Sequence, residues 1–279
     1  MSVVTITRQL GSEGDAIGRA LAELLGYRHM DKRSIVDIMR IQGGEVEPTA
    51  PEVEEKQPTF WERLNEERRR HTIMLRSAVY DFALEDNCVI VGVGGSMLLR
   101  GISHVLKAAT IAPFETRVER VMRSGSLDAP GPTSREEAEE MVRQRDHETH
   151  GYLRYLFNVN WMDPQLYDLA INTAKMSVND AVDFLAEAVA RPDFAPSQTG
   201  SQRLQNLALA SKVEATLINN AGIWIHGLRA TAERGEVTIT GEVITEEDRD
   251  IAEEVAGTVP GVTGVVNDLR IQPPPLTGM

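Results

Sequence analysis

The stretch Val3–Ala22, VVTITRQLGSEGDAIGRALA, decides the fold of the first part of the chain. Its opening residues predict a β-strand over Val3–Thr7, and the spacing of apolar residues predicts an amphipathic helix over Asp15–Leu25. The residues between them contain two glycines and predict a turn. A strand that passes through such a turn into a helix brings backbone N–H groups and a helix N-terminus together, and both are good binding groups for phosphate.

This turn departs from a regular phosphate-binding loop, in which a lysine follows the second glycine and a serine or threonine follows the lysine. The three corresponding positions hold Glu13, Gly14 and Asp15. Two carboxylates therefore stand where a polyphosphate would lie, and they repel it unless Mg²⁺ or arginines intervene. A plain strand-to-helix turn, with the charge of Asp15 favourable at the start of the helix, is an equally good interpretation of the same residues.

Composition narrows the range of functions. The chain has 279 residues and a formal charge of −13, with 29 Lys and Arg against 42 Asp and Glu. This balance argues against broad nucleic-acid binding, which needs many cations to displace counterions from phosphates. The single cysteine, Cys88, excludes an internal disulfide and a metal site of several cysteines. Neither a signal peptide nor a transmembrane segment is expected, so we expect a cytoplasmic protein.

Strand-like runs alternate with helical patterns through residues 1–191. The predicted strands are Val3–Thr7, Arg28–Met30, Cys88–Val93, Ala108–Ala112 and Leu169–Asn172. The predicted helices are Asp15–Leu25, Ser34–Arg40, Phe60–Leu84, Glu115–Arg123, Ser134–Leu156 and Ser177–Ala190. The alternation predicts an α/β fold in which helices flank a parallel sheet and ligands bind at the carboxyl ends of the strands. The proline- and glutamate-containing stretch Gly43–Pro58 predicts an exposed loop.

Residues 192–201, PDFAPSQTGS, predict a linker between two domains, 1–191 and 202–272. The second domain has the predicted order α-β-β-α-β, which makes it a small α+β domain. Its elements are a helix over 203–219, strands over 223–228 and 237–243, a helix after Thr245 and a strand over Val265–Ile271. Arg234-Gly235 predicts the turn between the first two strands, and Thr245 with Asp248 predicts a helix start.

Residues 1–190 resemble the cytidylate kinase-like family. The resemblance is carried in order by ITRQLGS from Ile6, LAELLG from Leu21, VIVG from Val89 with Gly94, APFETRVERVM from Ala112, SREEA from Ser134 and YDLAINT from Tyr167. It implies a P-loop kinase-like parallel sheet flanked by helices. It also implies ATP with Mg²⁺ as the phosphate donor and a pyrimidine monophosphate, CMP or dCMP, as the acceptor, giving ADP and CDP or dCDP.

The resemblance also implies roles for particular residues. Backbone groups around the donor phosphates would come from the first loop, where Arg8 would partly replace the missing lysine, and Asp31 would border the acceptor pocket. The candidate nucleotide-binding residues are Arg8, Gly11, Ser12, Gly14, Asp15, Asp31, Arg100 and Asp146. The candidate catalytic residues, which flank an expected lid over Gly125–Pro132, are Arg117, Arg120 and Arg145. No residue is assigned to a metal.

Two departures from the family pattern leave a second interpretation open. Val93 stands where the family has an arginine for the acceptor phosphate. After Asp146, where relatives carry a further lid arginine, this chain has a run without arginine that includes Thr149. Arg100, Arg123 or Arg154 could compensate. The alternative to a kinase is therefore a catalytically weak or inactive nucleotide-binding sensor that signals through the C-terminal domain. A structural scaffold, which would bind no nucleotide, is a third class.

Residues 202–272 resemble the BON domain. The matching residues are Gly235–Gly241, then Gly261-Val262, Val265–Asn267 and Leu269. The resemblance implies a small binding module whose partner is a small ligand, a lipid or a protein, and it leaves a homo-oligomer open. His226 is expected on a strand face without metal partners.

Overall fold

The computed structural model describes residues 2–31, 34, 58–92, 94–124, 131–220 and 222–272. The predicted helix Ser34–Arg40, loop Gly43–Pro58 and lid Gly125–Pro132 lie largely outside these ranges. Val93 lies outside them as well.

Five strands form a sheet in which every neighbouring pair is parallel. They are β1 (Val3–Arg8), β2 (Arg28–Met30), β3 (Cys88–Val91), β4 (Val105–Ile111) and β5 (Leu169–Asn172), in the spatial order β2-β3-β1-β4-β5. The predicted α/β class is confirmed, and β2 and β5 have the predicted bounds. Strand β4 begins three residues before the prediction because Val105 and Leu106 are buried and pair with the start of β1. Strand β3 ends two residues before the prediction.

Helices connect these strands. They are α1 (Gly14–Leu25), α2 (Pro58–Leu84), α3 (Gly95–Leu98), α4 (Phe114–Ser124), α5 (Arg135–Phe157) and α6 (Val178–Val189). Helix α5 starts where the Ser134 side chain accepts a hydrogen bond from the Glu137 N–H. Helix α6 starts at a capping box of Ser177 and Asp180. The one-turn helix α3 was not predicted.

The hydrophobic core lies between the sheet and helices α1 and α6. Buried side chains from each layer meet there, and they include Val4, Ile6, Ile17, Leu21, Val91, Leu106 and Leu185. Full burial of a side chain of this size contributes about 1.5–3 kcal/mol. A smaller cluster of Val118, Val121, Ala138 and Val142 packs α4 against α5. Because β1 is the middle strand, the loop that follows it opens at the centre of the carboxyl edge of the sheet.

The C-terminal elements form a second, three-stranded sheet with two helices, which confirms the order α-β-β-α-β. They are α7 (Gln198–Asn220), β6 (His226–Glu233), β7 (Glu236–Val243), α8 (Glu246–Gly257) and β8 (Gly264–Ile271). The predicted turn at Arg234-Gly235 is present, with φ angles of 51° and 94°. The capping box of Thr245 and Asp248 is also present. Helix α8 ends at Gly257.

The predicted strand over 223–228 is wrong in its bounds. Strand β6 begins only at His226 and continues to Glu233. Gly227 has a φ angle of 64°, and the pairing with β7 shifts register between His226 and Arg229. Regular pairing of β6 with β7 therefore begins at Arg229. Apolar and polar residues alternate less clearly there than over 223–228.

The chain separates into two compact units. One holds the five-stranded sheet and runs to Gly200, and the other holds α2 together with the chain from Ser201 onward. Helix α2 therefore groups with the C-terminal elements, although it lies between β2 and β3 in sequence. The segment 192–201, predicted as an irregular linker, contains a 3-10 helix at Pro192–Phe194 and the first turn of α7. The domain division 1–191 and 202–272 remains a prediction.

Across the described part of the chain, no helix is both long enough and apolar enough to cross a lipid bilayer.

The packing of α1 on β3 can be tested at Gly18, where an added Cβ would lie 2.3 Å from Cγ2 of Val91. We expect Gly18→Ala to lower the free energy of unfolding by about 1–3 kcal/mol because the helix or strand must shift. The matched control is Gly151→Ala in α5, where an added Cβ meets no described atom within 4 Å. It should raise stability by about 0.5–1 kcal/mol. Urea unfolding measures both, and equal effects would contradict this packing.

Candidate functional site

The β1–α1 loop, residues Gln9–Glu13, is a tight turn built on Ser12. The Ser12 N–H and hydroxyl both donate to the Gln9 carbonyl oxygen, at 3.2 and 2.8 Å, and the hydroxyl also lies 3.0 Å from that of Thr110 in β4. Ser12 is fully buried. Gly11 has a φ angle of 78°, and an added Cβ there would lie 2.7 Å from the Arg117 carbonyl oxygen. Glycine is therefore required where the loop approaches α4.

The N-terminus of α1 is open at this loop. Glu13 precedes the helix with a φ angle of 62° and, among the described residues, makes no side-chain capping hydrogen bond. The first N–H groups of a helix have no partner within the helix, so those of Gly14, Asp15 and Ala16 present donors and positive potential at the centre of the sheet edge. This arrangement can bind an anionic oxygen.

Arg120 supports the loop from α4. Its guanidinium donates to the Gly11 carbonyl oxygen at 3.1 Å and to the Thr173 carbonyl oxygen at 2.6 Å. It also donates to the Thr173 hydroxyl at 2.8 Å, and that hydroxyl donates in turn to the Ser12 carbonyl oxygen at 3.1 Å. Thr173 and Thr110 were missed by the sequence analysis. Their position at the carboxyl ends of β5 and β4 was the available signal.

Arg117 joins the loop region to α5. Its two terminal nitrogens donate to the carboxylate of Asp146 at 2.9 and 2.8 Å, and Nε donates to the Ala112 carbonyl oxygen at 3.2 Å. Only 4% of Arg117 is exposed. Bidentate pairs of this kind fix both distance and orientation. The structure therefore brings Arg117 and Asp146 together, with the guanidinium bound to the protein itself.

The other candidate arginines near the loop are also paired with carboxylates. Arg8 Nε lies 2.6 Å from Asp15, and Arg120 Nε lies 3.4 Å from Glu13. The Arg8 guanidinium also borders Gly92, the residue after β3, because an added Cβ there would lie 3.3 Å from Nη1. The carboxylates that the sequence placed in the path of a phosphate thus neutralise the cations that would attract it.

The remaining candidates are spread over three other places. Asp31 accepts hydrogen bonds from the Ser34 N–H and hydroxyl at 3.0 and 3.1 Å, directly after β2. Arg145 pairs with Glu148 on α5 at 3.4 Å. Arg100 is exposed in the turn after α3, and among the described residues its side chain makes no hydrogen bond or ion pair with the β1–α1 loop.

Histidine adds no positive charge beside α1. His29 on β2 lies near Gly18, and burial lowers the pKa of its imidazole, while the carboxylates of Asp31 and Asp15 raise it. Because burial is the larger effect, His29 is neutral near pH 7.

The residues present do not fit a magnesium ion held by the protein. The hydroxyl of Ser12 is buried and bonded to Gln9 and Thr110, and the nearby carboxylates of Asp15 and Glu13 are paired with arginines. No group of three or more His, Cys, Asp or Glu residues among those described could hold a metal ion.

Two family models match this chain. The model of the cytidylate kinase-like family covers residues 3–175, and that of the BON domain covers residues 206–273. The first spans more than half of the chain, so the chain belongs to the cytidylate kinase-like family. Together with the strand order and the flanking helices, this gives the N-terminal region a P-loop kinase-like fold.

Three individual proteins are similar to parts of this chain. The chain is 26% identical over 195 residues to a cytidylate kinase of Methanopyrus kandleri, covering 67% of this chain and 92% of that protein. It is 32% identical over 109 residues to a uronate isomerase of Corynebacterium glutamicum, covering 39% of this chain but only 20% of the isomerase. A solved structure of an uncharacterized protein from Eubacterium ventriosum has a TM-score of 0.53 at 20% identity, covering 68% of this chain and 100% of that one. This last likeness concerns the fold.

The Arg117–Asp146 pair gives a stability prediction. Arg117→Lys keeps the charge but loses the bidentate geometry, so we expect the free energy of unfolding to fall by about 2–4 kcal/mol. The control is Arg123→Lys on the same helix, where the arginine is largely exposed and lies 3.9 Å from Glu119. That change should stay within about 0.5 kcal/mol. A loss no larger for Arg117 than for Arg123 in denaturant titrations would show that the pair does not hold α4 to α5.

Proposed function

We propose that this protein is a nucleoside monophosphate kinase-like phosphotransferase that transfers the γ-phosphoryl group of ATP to CMP or dCMP. The observation that carries the proposal is the open N-terminus of α1 at the centre of the carboxyl edge, with Arg8 and Arg120 beside it, in a member of the cytidylate kinase-like family. The cytidylate kinase of Methanopyrus kandleri supports the choice of acceptor.

The donor phosphates would lie against the N–H groups of Gly14, Asp15 and Ala16. Anionic oxygens there gain from the helix dipole and from several hydrogen bonds at once. Arg8 would turn from Asp15 toward the phosphates, since its guanidinium already borders the edge of the sheet at Gly92. Mg²⁺ would enter bound to ATP as part of the substrate, because the protein offers it no free hydroxyl in the loop.

The acceptor would bind on the β2–β3 side of the loop, where Asp31 and Gly92 follow neighbouring strands. In the reaction, an oxygen of the acceptor phosphate attacks the γ-phosphorus, and the bond to the β–γ bridging oxygen breaks. The products are ADP and CDP or dCDP. Phosphoryl transfer depends mainly on positioning and on stabilising spread negative charge. Arg8 and Arg145 are the candidates for that stabilisation, while Arg117 and Arg120 act as positioning residues that hold the loop.

The pairing of these arginines predicts a slow enzyme. A phosphate must displace the carboxylate of Asp15 from Arg8 before it gains that contact. Each lost charged hydrogen-bond contact removes about 1.5–3 kcal/mol of phosphate binding. Without a loop lysine, two such losses would reduce turnover by orders of magnitude.

A nucleotide sensor is the second candidate function. It is favoured by the buried hydroxyl of Ser12 and by the carboxylates of Glu13 and Asp15, which weaken catalysis more than they weaken backbone contacts to phosphate. In this case the protein binds a nucleotide without transferring phosphate. The BON module would then receive the signal, with a small ligand, a lipid or a protein as its partner.

A coupled assay with ATP, Mg²⁺ and a panel of nucleoside monophosphates distinguishes the two functions when calorimetric titrations use the same ligands. The proposal predicts slow transfer that is fastest with CMP or dCMP. Saturable binding without transfer would support the sensor and contradict the enzyme. Failure to bind any nucleotide would contradict both and leave the scaffold.

Removing the charge of Asp15 should strengthen the binding of ATP. Asp15→Asn removes a charge and releases Arg8, so we expect ATP to bind about three- to ten-fold more tightly. Asp183→Asn, the same change on the exposed surface of α6, is the control and should leave affinity unchanged. Both are measured by calorimetry at constant ionic strength. Weaker binding by Asp15→Asn would mean that Asp15 contacts the ligand complex directly rather than competing with it.

A further inference from the structure

Strand β1 carries two threonines on the face of the sheet that lies away from α1. Val4 and Ile6 of this strand lie in the core beside α1. Because side chains alternate along a strand, Thr5 and Thr7 face the opposite side. The hydroxyls of both threonines lie 2.9 Å from that of Ser96 in α3, and all three side chains are buried. Buried hydroxyls need partners, so Ser96 joins α3 to the middle strand of the sheet.

The contact between Ser96 and Thr7 belongs to a chain of hydroxyls with one direction. The hydroxyl of Tyr167, just before β5, donates to the Trp161 carbonyl oxygen at 2.7 Å. Burial raises the pKa of the Tyr167 phenol, and a hydrogen bond with the Thr7 side chain lowers it. A bond that lowers the pKa of a phenol is one that its oxygen accepts, so Thr7 donates to Tyr167. Each hydroxyl has one proton, and Ser96 therefore donates to Thr7.

Ser96, Thr7 and Tyr167 are called the hydroxyl chain below. It reaches both groups that border the proposed phosphate site. Arg8 follows Thr7 directly at the carboxyl end of β1. Gly92 follows β3, and its carbonyl oxygen accepts a hydrogen bond at 3.0 Å from the N–H of Gly95, the residue before Ser96. An added Cβ at Gly92 would lie 3.3 Å from Nη1 of Arg8. The hydroxyl chain therefore holds the end of β1 and the start of α3 where they meet.

Close packing brings α3 against the sheet. An added Cβ at Gly95 would lie 3.0 Å from Cγ2 of Ile90 in β3, and one at Gly94 would lie 2.9 Å from the ring of Phe157 in α5. Apolar contacts of this kind have no preferred direction, whereas a hydrogen bond constrains both distance and angle. The hydroxyl of Ser96 is therefore the group that sets the position of α3 along β1.

We propose that Ser96 is a positioning residue for phosphoryl transfer, which sets the distance between Arg8 and Gly92 through the hydroxyl chain and α3. The inference deepens the proposed function and rests on it. Ser96 is buried and would not contact a phosphate. It would place the Arg8 guanidinium at the point where the transferring phosphoryl group meets the acceptor, and small errors in such placement lower the rate.

The test is Ser96→Ala in the full-length chain, which leaves the Thr7 hydroxyl without its donor. With CMP as acceptor we expect kcat to fall about five- to ten-fold. The KM for ATP should change less than about two-fold, because the N-terminus of α1 would bind the donor phosphates and has no part in the hydroxyl chain. Amide hydrogen exchange of Gly92 and Gly95 should become faster.

The matched control is Thr5→Val. Thr5 is as deeply buried as Ser96 and contacts it, and valine has nearly the same shape as threonine. This change removes a buried hydroxyl but leaves the contact between Ser96 and Thr7. It should keep kcat and the exchange of Gly92 and Gly95 within about two-fold of wild type, even where it lowers the free energy of unfolding.

A second variant breaks the hydroxyl chain at its other end and serves if Ser96→Ala does not fold. Tyr167→Phe keeps the ring and removes the hydroxyl between Thr7 and the Trp161 carbonyl oxygen. We expect kcat to fall about two- to five-fold, again with the KM for ATP nearly unchanged.

The outcomes separate the inference from the proposed function. A lower kcat and faster exchange in Ser96→Ala, with Thr5→Val like wild type, support the inference. If wild type transfers phosphate and Ser96→Ala loses stability but keeps kcat, the hydroxyl chain is only structural and the inference alone is overturned. An equal loss of kcat in Thr5→Val also overturns it, since any buried change would then act alike. If wild type transfers no phosphate, the proposed function fails and the inference falls with it.

Discussion

Two arginines of α4 hold the β1–α1 loop in the shape on which the site depends. Arg120 bonds the carbonyl oxygen of Gly11 and ties it to Thr173, while Arg117 fixes α4 to Asp146 of α5. The carbonyl oxygens of the turn are bonded to the protein, and the first N–H groups of α1 lie at the centre of the sheet edge without a side-chain cap. The site therefore owes its geometry to charged groups that face the protein.

The same arginine contacts determine how the site binds a nucleotide and how fast it can transfer phosphate. Arginines that support a loop are not available to stabilise a transferring phosphate, and Arg8 is held by Asp15 until a ligand displaces it. The chain has a net charge of −13, and two of its carboxylates lie in or beside the loop. Glu13 neutralises Arg120 there, and Asp15 neutralises Arg8. Binding by backbone groups with slow chemistry is the expected result.

The sequence predicted the elements that arise from local patterns. The five parallel strands, the helix starts at Ser134, Ser177 and Thr245 and the turn at Arg234-Gly235 all depend on neighbouring residues, and they are confirmed. The bounds of β6 could not be read because its register shift depends on pairing with β7. The helical content of 192–201 was missed because proline and serine also begin helices.

The candidate site was predictable in outline and not in its contacts. The loop was predicted from a strand-to-helix pattern, and Arg117, Arg120 and Asp146 were predicted from the family resemblance. The pairing of Arg8 with Asp15 depends on side-chain direction, which neither source gives. The supporting hydroxyls of Thr110 and Thr173 come from strands distant in sequence. No local pattern indicated that α2 groups with the C-terminal elements, because that depends on contacts such as Arg76 with Glu214, more than a hundred residues further along the chain.

The central claim is that the open N-terminus of α1 binds the phosphates of a nucleotide. Backbone amide resonances of the ¹⁵N-labelled full chain, followed during titration with ATP and Mg²⁺, test it most directly. The account predicts that the amides of Gly14, Asp15 and Ala16 shift most, along one saturable curve, while those of β8 do not move. Saturable binding that leaves these three amides unchanged would contradict it.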